Sequence, residues 1–234
     1  MSPHTFDSSL QKYHRQLFIG DIHGCLRSMR ALWDKLQVGP TDLVIFLGDY
    51  IDKGPNSAKV IYQIQKWQNE GLHIICIRGN HEEILLQSEE QGQEALAAYT
   101  KRMKSTDLVN KKGEIITSIK KWLQELPYFV ASEKWLAAHA GFDLRSVSTM
   151  FQNEIAMLTI RNFEYQPTVA GNRTILHGHN PMPLTEIQRR IAQKEKILGL
   201  DNGCVYKDSA HDMQHLLCYS FTEGKLILQK NIEH

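Results

Sequence analysis

Five short segments of this chain combine aspartate, asparagine or histidine with glycine. They are residues 20–24, 48–54, 79–82, 138–141 and 177–180. Carboxylate, amide and imidazole side chains are ligands that suit manganese, iron or zinc better than a thiolate-preferring metal. Glycine lets the backbone turn sharply and approach an ion closely, because it has no Cβ. The composition of the five segments therefore predicts a metal centre.

The side chains of these segments divide into two ligand sets that share one carboxylate. The sets are Asp21, His23 and Asp49 for one cation, and Asp49, Asn80, His139 and His179 for a second. A bridging carboxylate allows two cations to sit about 3.5–4 Å apart despite their mutual repulsion. We therefore expect two divalent metal ions, with manganese as the first choice and iron or zinc as alternatives.

The elements that must position these residues are short buried strands. Apolar runs at residues 17–19, 44–47 and 72–77 each precede one of the first three segments, and helical spacing occupies residues 26–36 and 57–68 between them. Alternating strands and helices with short connections predict a parallel α/β core. The carboxyl ends of such strands converge, so we expect the ligands at one rim of the sheet.

The rest of the chain contains a helical region and several further strands. Apolar residues at helical spacing predict helices between residues 82 and 125. Strand candidates follow at residues 128–130, 135–138, 174–176, 197–198, 204–206, 216–221 and 225–228. Their spacing predicts a second, largely antiparallel sheet that packs on the first.

The chain has 234 residues, with 27 Lys and Arg against 26 Asp and Glu, for a formal net charge of +1. This balance argues against a nucleic-acid partner, because such binders usually carry a clear basic excess. The composition of 42% hydrophobic and 23% charged residues is typical of a globular protein. We expect a flexible lead-in at residues 1–14 and a single domain at residues 15–234, with a helical insertion at about 88–125.

The location of the protein is predicted from its cysteines and apolar runs. No run approaches the roughly 18 apolar residues that a membrane span needs, and the first residues lack the apolar region of a secretory signal. The four cysteines stand far apart with no C-x-x-C pair, which indicates reduced thiols. We therefore expect a cytoplasmic protein without membrane contact.

The first three segments match the G-D-x-H-G, G-D-x-V-D-R-G and G-N-H-E signatures of the calcineurin-like metallophosphoesterases. The chain resembles the phosphoprotein phosphatase branch in particular, and most closely the small bacterial and bacteriophage-lambda-like Ser/Thr protein phosphatases. The similarity runs from about residue 17 to the end, with residues 88–112 unmatched. It implies an α/β fold, a four-layer sandwich of two mixed β-sheets flanked by helices, with a dinuclear metal site at the C-terminal ends of the strands.

The resemblance also implies roles for individual residues. His81 would be the general acid that protonates the leaving group, oriented by Asp52, while a metal-bridging hydroxide attacks phosphorus. Lys53, Asn80 and Arg161 would bind the substrate phosphate. The implied activity is a metal-dependent phosphomonoester hydrolase, a Ser/Thr protein phosphatase acting on a phosphorylated protein, peptide or small phosphoester.

Two details of the sequence leave alternatives open. Lys53 stands where most of the branch has arginine, and Lys53-Gly54-Pro55 resembles the symmetrical diadenosine tetraphosphate hydrolases, although those generally lack an acid at the position of Asp52. The alternative functional hypothesis is therefore a dinucleoside polyphosphate hydrolase. His177 is an alternative to His179 as the last ligand. A metal-binding scaffold without catalysis requires a lost ligand or acid, and the sequence shows neither.

Overall fold

The computed structural model describes residues 4–6, 8–206 and 212–233 of the chain. The strands among these residues are β1 (His4–Phe6), β2 (Arg15–Ile19), β3 (Asp42–Phe46), β4 (His73–Cys76), β5 (Phe129–Ala131), β6 (Trp135–Ala138), β7 (Thr174–His177), β8 (Ile197–Gly199), β9 (His215–Ser220) and β10 (Lys225–Lys230). The helices are α1 (Leu26–Leu36), α2 (Ser57–Asn69), α3 (Asn80–Glu90), α4 (Gln93–Met103), α5 (Thr117–Gln124), α6 (Val147–Gln152), α7 (Glu154–Thr159), α8 (Pro167–Ala170) and α9 (Leu184–Ala192).

The first sheet has the strand order β10-β9-β2-β3-β4. β2, β3 and β4 are parallel, whereas β9 pairs antiparallel with both β2 and β10. Both faces are buried, so successive apolar side chains enter different cores. On β2, Leu17 and Ile19 pack towards the helices, and Phe18 between them packs towards the second sheet.

The second sheet has the strand order β1-β5-β6-β7-β8. Only β5 and β6 pair antiparallel, and the β1–β5, β6–β7 and β7–β8 pairs are parallel. The expectation of a largely antiparallel second sheet was wrong. Helices separate β6 from β7 and β7 from β8, which makes these pairs parallel crossovers, and the late hairpin β9–β10 joins the first sheet instead.

Helices cover the outer faces of the two sheets. The core outside the first sheet takes Leu32 of α1, Ile61 of α2 and Leu85 of α3. The core outside the second sheet takes Met150 of α6 and Met157 of α7. The four-layer sandwich with two mixed sheets and flanking helices is thereby confirmed.

The structure differs from the strand expected at residues 204–206, and it describes part of the lead-in expected at residues 1–14. Residues 204–206 form a turn rather than a strand, because Gly203 has a φ of +64° and its N–H donates to Asp201 Oδ1 at 2.8 Å. In the lead-in, residues 4–6 pair with β5 and residues 8–12 form a 3₁₀ helix, while residues 1–3 and 7 lie outside the described residues. The helices expected between residues 82 and 125 are present as α3, α4 and α5.

Among the described residues, no helix has both the length and the apolar character needed to cross a membrane. The four cysteines are free thiols, and each is buried.

Candidate metal centre

The five segments meet at the carboxyl ends of strands from both sheets. Asp21 and His23 follow β2, and Asp49 follows β3. Asn80 opens α3 shortly after β4, and the remaining histidines, His139 and His179, follow β6 and β7. Because β2, β3 and β4 run parallel and the sheets pack face to face, residues far apart in sequence share one rim.

Two groups of potential ligand atoms share the Asp49 carboxylate. One group contains His23, Asp49 and His81, and the other contains Asp49, His139 and His179. Within each group the ligand atoms lie within 4.8 Å of one another. The two groups are consistent with a dinuclear metal site in which Asp49 is the common member.

Hydrogen bonds fix two of the imidazoles in the form that binds a metal. His23 Nδ1 donates to the Ile51 carbonyl and His139 Nδ1 donates to the Leu47 carbonyl, each at 2.8 Å. Burial lowers the pKa of His23 to about 3 and also lowers the pKa of His139. Both rings are therefore neutral near pH 7, and their Nε2 lone pairs point towards the Asp49 carboxylate, at 3.5 and 3.4 Å.

Some polar atoms at this rim face other hydrogen-bond acceptors or have no hydrogen-bond partner among the described residues, an arrangement that a bound cation would stabilise. The lone pair of His139 Nε2 meets the Asn80 Oδ1 acceptor at 2.9 Å, and His179 Nδ1 lies 3.0 Å from the same oxygen. His179 Nε2 is buried and has no hydrogen-bond partner among the described residues. On the other side of Asp49, the Lys53 ammonium contacts His23 Nε2 at 2.7 Å. The acceptor atoms of the histidines and of Asn80 converge, and the Lys53 ammonium already occupies one potential ligand nitrogen. Both features fit a site that binds cations.

Asp21 lies beside the two groups and belongs to neither of them. Its two carboxylate oxygens accept the backbone N–H of His179 at 3.1 Å. Burial, and then the neighbouring Asp201 carboxylate, raise the pKa of Asp21 well above its usual range. His177 is also in neither group, since its Nδ1 lies 2.9 Å from the Gly178 carbonyl. The structure thus brings His179, rather than His177, to the ligand groups.

Asp52 forms a buried pair with His81, which is itself a member of the first ligand group. His81 Nδ1 donates to Asp52 Oδ2 at 2.6 Å, and His81 Nε2 lies 3.9 Å from Asp49 Oδ2. Burial by itself lowers the pKa of His81, but the Asp49 charge and the hydrogen bond to Asp52 outweigh it and raise the pKa. The Tyr99 hydroxyl donates to the same Asp52 oxygen. Asp52 Oδ1 is buried without a partner among the described residues.

Glu82 holds two of the ligand loops together. Its Oε2 accepts the N–H groups of Asp49 and Gly79, and its Oε1 accepts the N–H of Tyr50, each at 2.9 Å. A Cβ at Gly79 would lie 2.2 Å from Asp49 Oδ1. Glycine at this position therefore lets the loop after β4 pass directly against the shared carboxylate.

Cationic side chains line the same cavity as the candidate acid. The cavity has a volume of about 130 Å³, and Lys53, His81 and Arg161 are among its lining residues. Arg161 is exposed, and its Nη1 donates to Asn180 Oδ1 at 3.0 Å while Asn180 Nδ2 donates back to the Arg161 carbonyl. The two cations and Asn80 converge on a polar space that suits a phosphoryl group.

Three residues at the site have roles that no local sequence pattern predicts. Tyr99 lies in α4, within the unmatched residues 88–112, so no motif pointed to it. Glu82 belongs to a quoted motif, but its contacts with the loop after β3 are long-range. Asp201 also lines the cavity, and only the fold brings it next to Asp21.

Residues 14–219 match the sequence model that describes calcineurin-like phosphoesterases. A symmetrical bis(5'-nucleosyl)-tetraphosphatase from Buchnera aphidicola is 30% identical over 156 residues, which are 63% of this chain and 52% of that protein. The chain thus spans about half the length of this relative. The asymmetrical bis(5'-nucleosyl)-tetraphosphatase PrpE of Oceanobacillus iheyensis is 25% identical over 89% of both chains.

Solved structures show the same fold. The crystal structure of a candidate diadenosine tetraphosphatase superposes with a TM-score of 0.71 at 21% identity and covers 99% of both chains. A protein serine/threonine phosphatase from Saccharomyces cerevisiae superposes with a TM-score of 0.63 at 16% identity, over 99% of this chain and 84% of that chain.

Proposed function

The chain belongs to the calcineurin-like phosphoesterase family, and from this membership we propose that it is a metal-dependent hydrolase of dinucleoside polyphosphates such as diadenosine tetraphosphate. The observation that carries the proposal is the shared substrate of its relatives. The symmetrical enzyme at 30% identity and the asymmetrical enzyme that matches 89% of both chains are both bis(5'-nucleosyl)-tetraphosphatases. Because these two relatives differ in cleavage symmetry, they have a substrate class in common but no common cleavage position.

In the proposed mechanism, two sets of side chains hold two divalent ions. His23, Asp49 and Asp21 would hold one divalent ion, and Asp49, Asn80, His139 and His179 would hold the other. Two such cations supply activation of the attacking water and neutralisation of phosphoryl charge. The hydrogen bonds from His23 and His139 to the Ile51 and Leu47 carbonyls support this assignment, because they keep the metal-binding nitrogens unprotonated.

His81 supplies the proton to the leaving oxygen. Its Nδ1–H is held by Asp52, which leaves Nε2 to carry the transferable proton on the side of Asp49. The Asp49 charge and the hydrogen bond to Asp52 raise the pKa of His81, which favours the protonated, proton-donating form of the ring. A proton donor positioned in this way contributes about 10²–10⁴-fold to a rate.

Lys53 and Arg161 bind the phosphate groups of the substrate. Arg161 presents a planar fork that can contact two oxygens, whereas Lys53 is a compact point charge on a flexible stem. A chain of four phosphates carries more negative charge than one phosphomonoester, and both cations line the same cavity. We assign Lys53 to the phosphate nearer His23 because of its contact with that ring.

A second candidate function is the dephosphorylation of phosphoserine or phosphothreonine, and the Asp52–His81 pair favours it. A serine alkoxide is a far stronger base than a leaving phosphate, so its departure depends more on a proton donor. The buried 2.6 Å hydrogen bond between these two residues is suited to that demand. The same pair also serves phosphoanhydride hydrolysis, where the requirement is weaker.

The test is a comparison of kcat/KM for diadenosine tetraphosphate and for a phosphoserine peptide, with the protein loaded in turn with manganese, zinc and magnesium. We expect a preference of at least tenfold for the nucleotide. A tenfold preference for the phosphopeptide instead would favour the second candidate function. Asp49→Asn serves as the control, because loss of the shared carboxylate should remove both bound metal and both activities.

A further inference from the structure

A second and larger cavity lies beside the metal centre. Its volume is about 680 Å³, within the range of small-molecule sites in proteins, which is roughly 300–1,000 Å³. It is formed by the loop after β6, by residues of α7 and α8 and by the connecting segment of residues 160–166. Neither the proposed metal ligands nor the Asp52–His81 pair lines it.

Two walls of this cavity continue directly into the metal centre. Asp143, Leu144 and Arg145 line it, and they follow the ligand His139 by only a few residues. On the opposite side, Ile160 and Asn162 line it, and Arg161 between them lines the metal-site cavity instead. The backbone at Arg161 therefore forms a shared wall, and a molecule that passes Arg161 leaves one cavity for the other.

Contacts of two aromatic side chains hold the shared wall in place, and they leave its backbone N–H groups without hydrogen-bond partners among the described residues. The Phe163 ring packs on Gly141 so closely that a Cβ there would lie 2.3 Å from the ring, and the Tyr165 hydroxyl donates to the Arg173 carbonyl at 2.8 Å. Within the part of the chain that the structure describes, no backbone N–H from residue 161 to 166 donates a hydrogen bond. Backbone N–H groups without intramolecular partners, on a segment held by these contacts, are suited to bind a polar ligand.

The chemistry of the lining combines flat apolar surface with amide and hydroxyl groups. Leu144, Phe163 and Val169 supply the apolar part, and Asn162, Gln166 and Thr168 supply neutral donors and acceptors. The buried carboxylate of Asp143 is already satisfied by Arg145 and Asn153, at 2.6 and 2.9 Å. A heterocyclic base with a ribose suits this combination, because Arg145, the cation of the lining, is already paired with Asp143.

We propose that this cavity binds one nucleoside of a dinucleoside polyphosphate whose phosphate chain crosses Arg161 to reach the metal centre. The inference rests on the proposed function and extends it by a distinct nucleoside site. Recognition of a nucleoside outside the metal centre would give selectivity for dinucleoside polyphosphates over small phosphoesters, which have no nucleoside to place in this cavity.

The first test uses the unaltered protein with adenosine as the probe. Adenosine, which has no phosphate to bind the metal centre, should inhibit hydrolysis of diadenosine tetraphosphate competitively and leave hydrolysis of p-nitrophenyl phosphate unchanged. Equal inhibition of both substrates would place the nucleoside in the metal centre, and inhibition of neither would leave the cavity without a nucleoside. Either result overturns the proposal.

The second test fills the cavity. Thr168 is exposed at the start of α8, so Thr168→Trp adds volume without disturbing a core. It should lower the ratio of kcat/KM for diadenosine tetraphosphate to kcat/KM for p-nitrophenyl phosphate at least tenfold. The matched control is Thr222→Trp, at an exposed turn between β9 and β10, which should leave the ratio unchanged. The double variant Asn162→Ala/Gln166→Ala should lower the ratio in the same direction, and an unchanged ratio in both cavity variants would refute the site.

A separate measurement distinguishes failure of the nucleoside site from failure of the proposed function. If the unaltered protein does not hydrolyse diadenosine tetraphosphate, the proposed function fails, and adenosine binding by calorimetry then judges the cavity alone. Binding to the unaltered protein that is lost in Thr168→Trp would keep the site. No binding, or equal binding to both proteins, would remove it.

Discussion

Five candidate site residues have a left-handed backbone that side chains other than glycine rarely adopt. They are His23, Asp49, Asp52, Lys53 and His179, with φ values of 46°, 52°, 72°, 64° and 65°. Such a conformation costs roughly 1–3 kcal/mol for each residue and persists only where surrounding contacts enforce it. These are five of the eleven non-glycine residues with positive φ in the described part of the chain, and their grouping at one rim supports their assignment to a functional site.

At the scale of single residues, the proton donor makes a prediction that depends on the leaving group. His81→Asn should lower kcat for a phosphoserine peptide by about 10²-fold or more, because an alkoxide leaves with a proton. The loss for diadenosine tetraphosphate should be clearly smaller, since a leaving phosphate is a weaker base and depends less on a proton donor. The measurement is kcat for both substrates with bound metal quantified by mass spectrometry. Equal losses for the two substrates, at full metal content, would contradict the acid role.

Tyr99 is proposed to position Asp52 through its hydroxyl. Tyr99→Phe removes a buried hydrogen bond to a carboxylate, an interaction worth roughly 1.5–3 kcal/mol. We expect kcat to fall about tenfold, the equivalent of about 1.4 kcal/mol, while KM stays unchanged. Tyr62→Phe, at a tyrosine that is 42% exposed on α2, is the matched control and should change neither constant. A rise in KM with unchanged kcat would contradict the positioning role.

At the scale of elements, the ends of the strands are fixed by polar contacts between neighbours. Glu82 at the start of α3 binds the backbone of the loop after β3, and Arg15 at the start of β2 binds Asp42 at the start of β3. Arg15 contacts both Asp42 oxygens, at 2.9 and 2.6 Å, and also donates to the Leu36 carbonyl at the end of α1. Three elements are joined at this one guanidinium.

The Arg15–Asp42 pair predicts an acid dependence of stability. Burial tends to raise the pKa of Asp42, but the hydrogen bonds from Arg15 and Gly39 outweigh it and lower the pKa below its usual 3.8. A carboxylate with a lowered folded-state pKa stabilises the fold above its unfolded value and loses that contribution as pH falls through the folded value. Asp42→Asn should therefore reduce the free energy of unfolding at pH 7 by roughly 1–3 kcal/mol, with the difference shrinking below about pH 4.

Denaturant unfolding of both proteins between pH 7 and pH 2 measures this dependence. Glu70→Gln is the matched control, because Glu70 forms an exposed pair with Lys66 at 3.8 Å whose contribution should be close to zero. A difference between the unaltered protein and Asp42→Asn that stays constant down to pH 2 would show that the pair does not titrate as described.

At the scale of the whole molecule, the metal centre joins segments from both sheets. The ligand groups draw on the loops after β2, β3, β6 and β7, so ions bound there would connect the two halves of the sandwich. The unfolded chain cannot hold these side chains together. Metal binding should therefore stabilise the fold as a whole by mass action.

Removal and return of metal tests this coupling. Manganese at one hundred times its Kd should add about 2.7 kcal/mol, which raises Tm by roughly 5–10 °C for a chain of this size. Thermal unfolding after chelation, and again after manganese is added, gives the shift. Asp49→Asn should lack it, and a shift of the same size in that variant would mean that manganese stabilises the protein elsewhere.

The order of elements and the ligand segments could be predicted from the sequence because both depend on local patterns. The burial of β2 and β3 on both faces appears as continuous apolar runs, and α1 was predicted with the bounds that it has in the structure. Each ligand segment adjoins a strand end, so its location followed from the alternation of strands and helices. The turn at residues 204–206 was missed, because a side-chain contact of Asp201 overrides the β propensity there.

By itself, the sequence determined that the chain is an α/β protein with histidine, aspartate and asparagine at the ends of its strands, because apolar periodicity and residue type are written along the chain. Only the tertiary structure decided which of these side chains meet. It placed His179 rather than His177 at the ligand groups, brought Tyr99 to Asp52 across 47 positions, and opened the second cavity beside Arg161. These are long-range contacts, and they depend on how two sheets pack rather than on any local pattern.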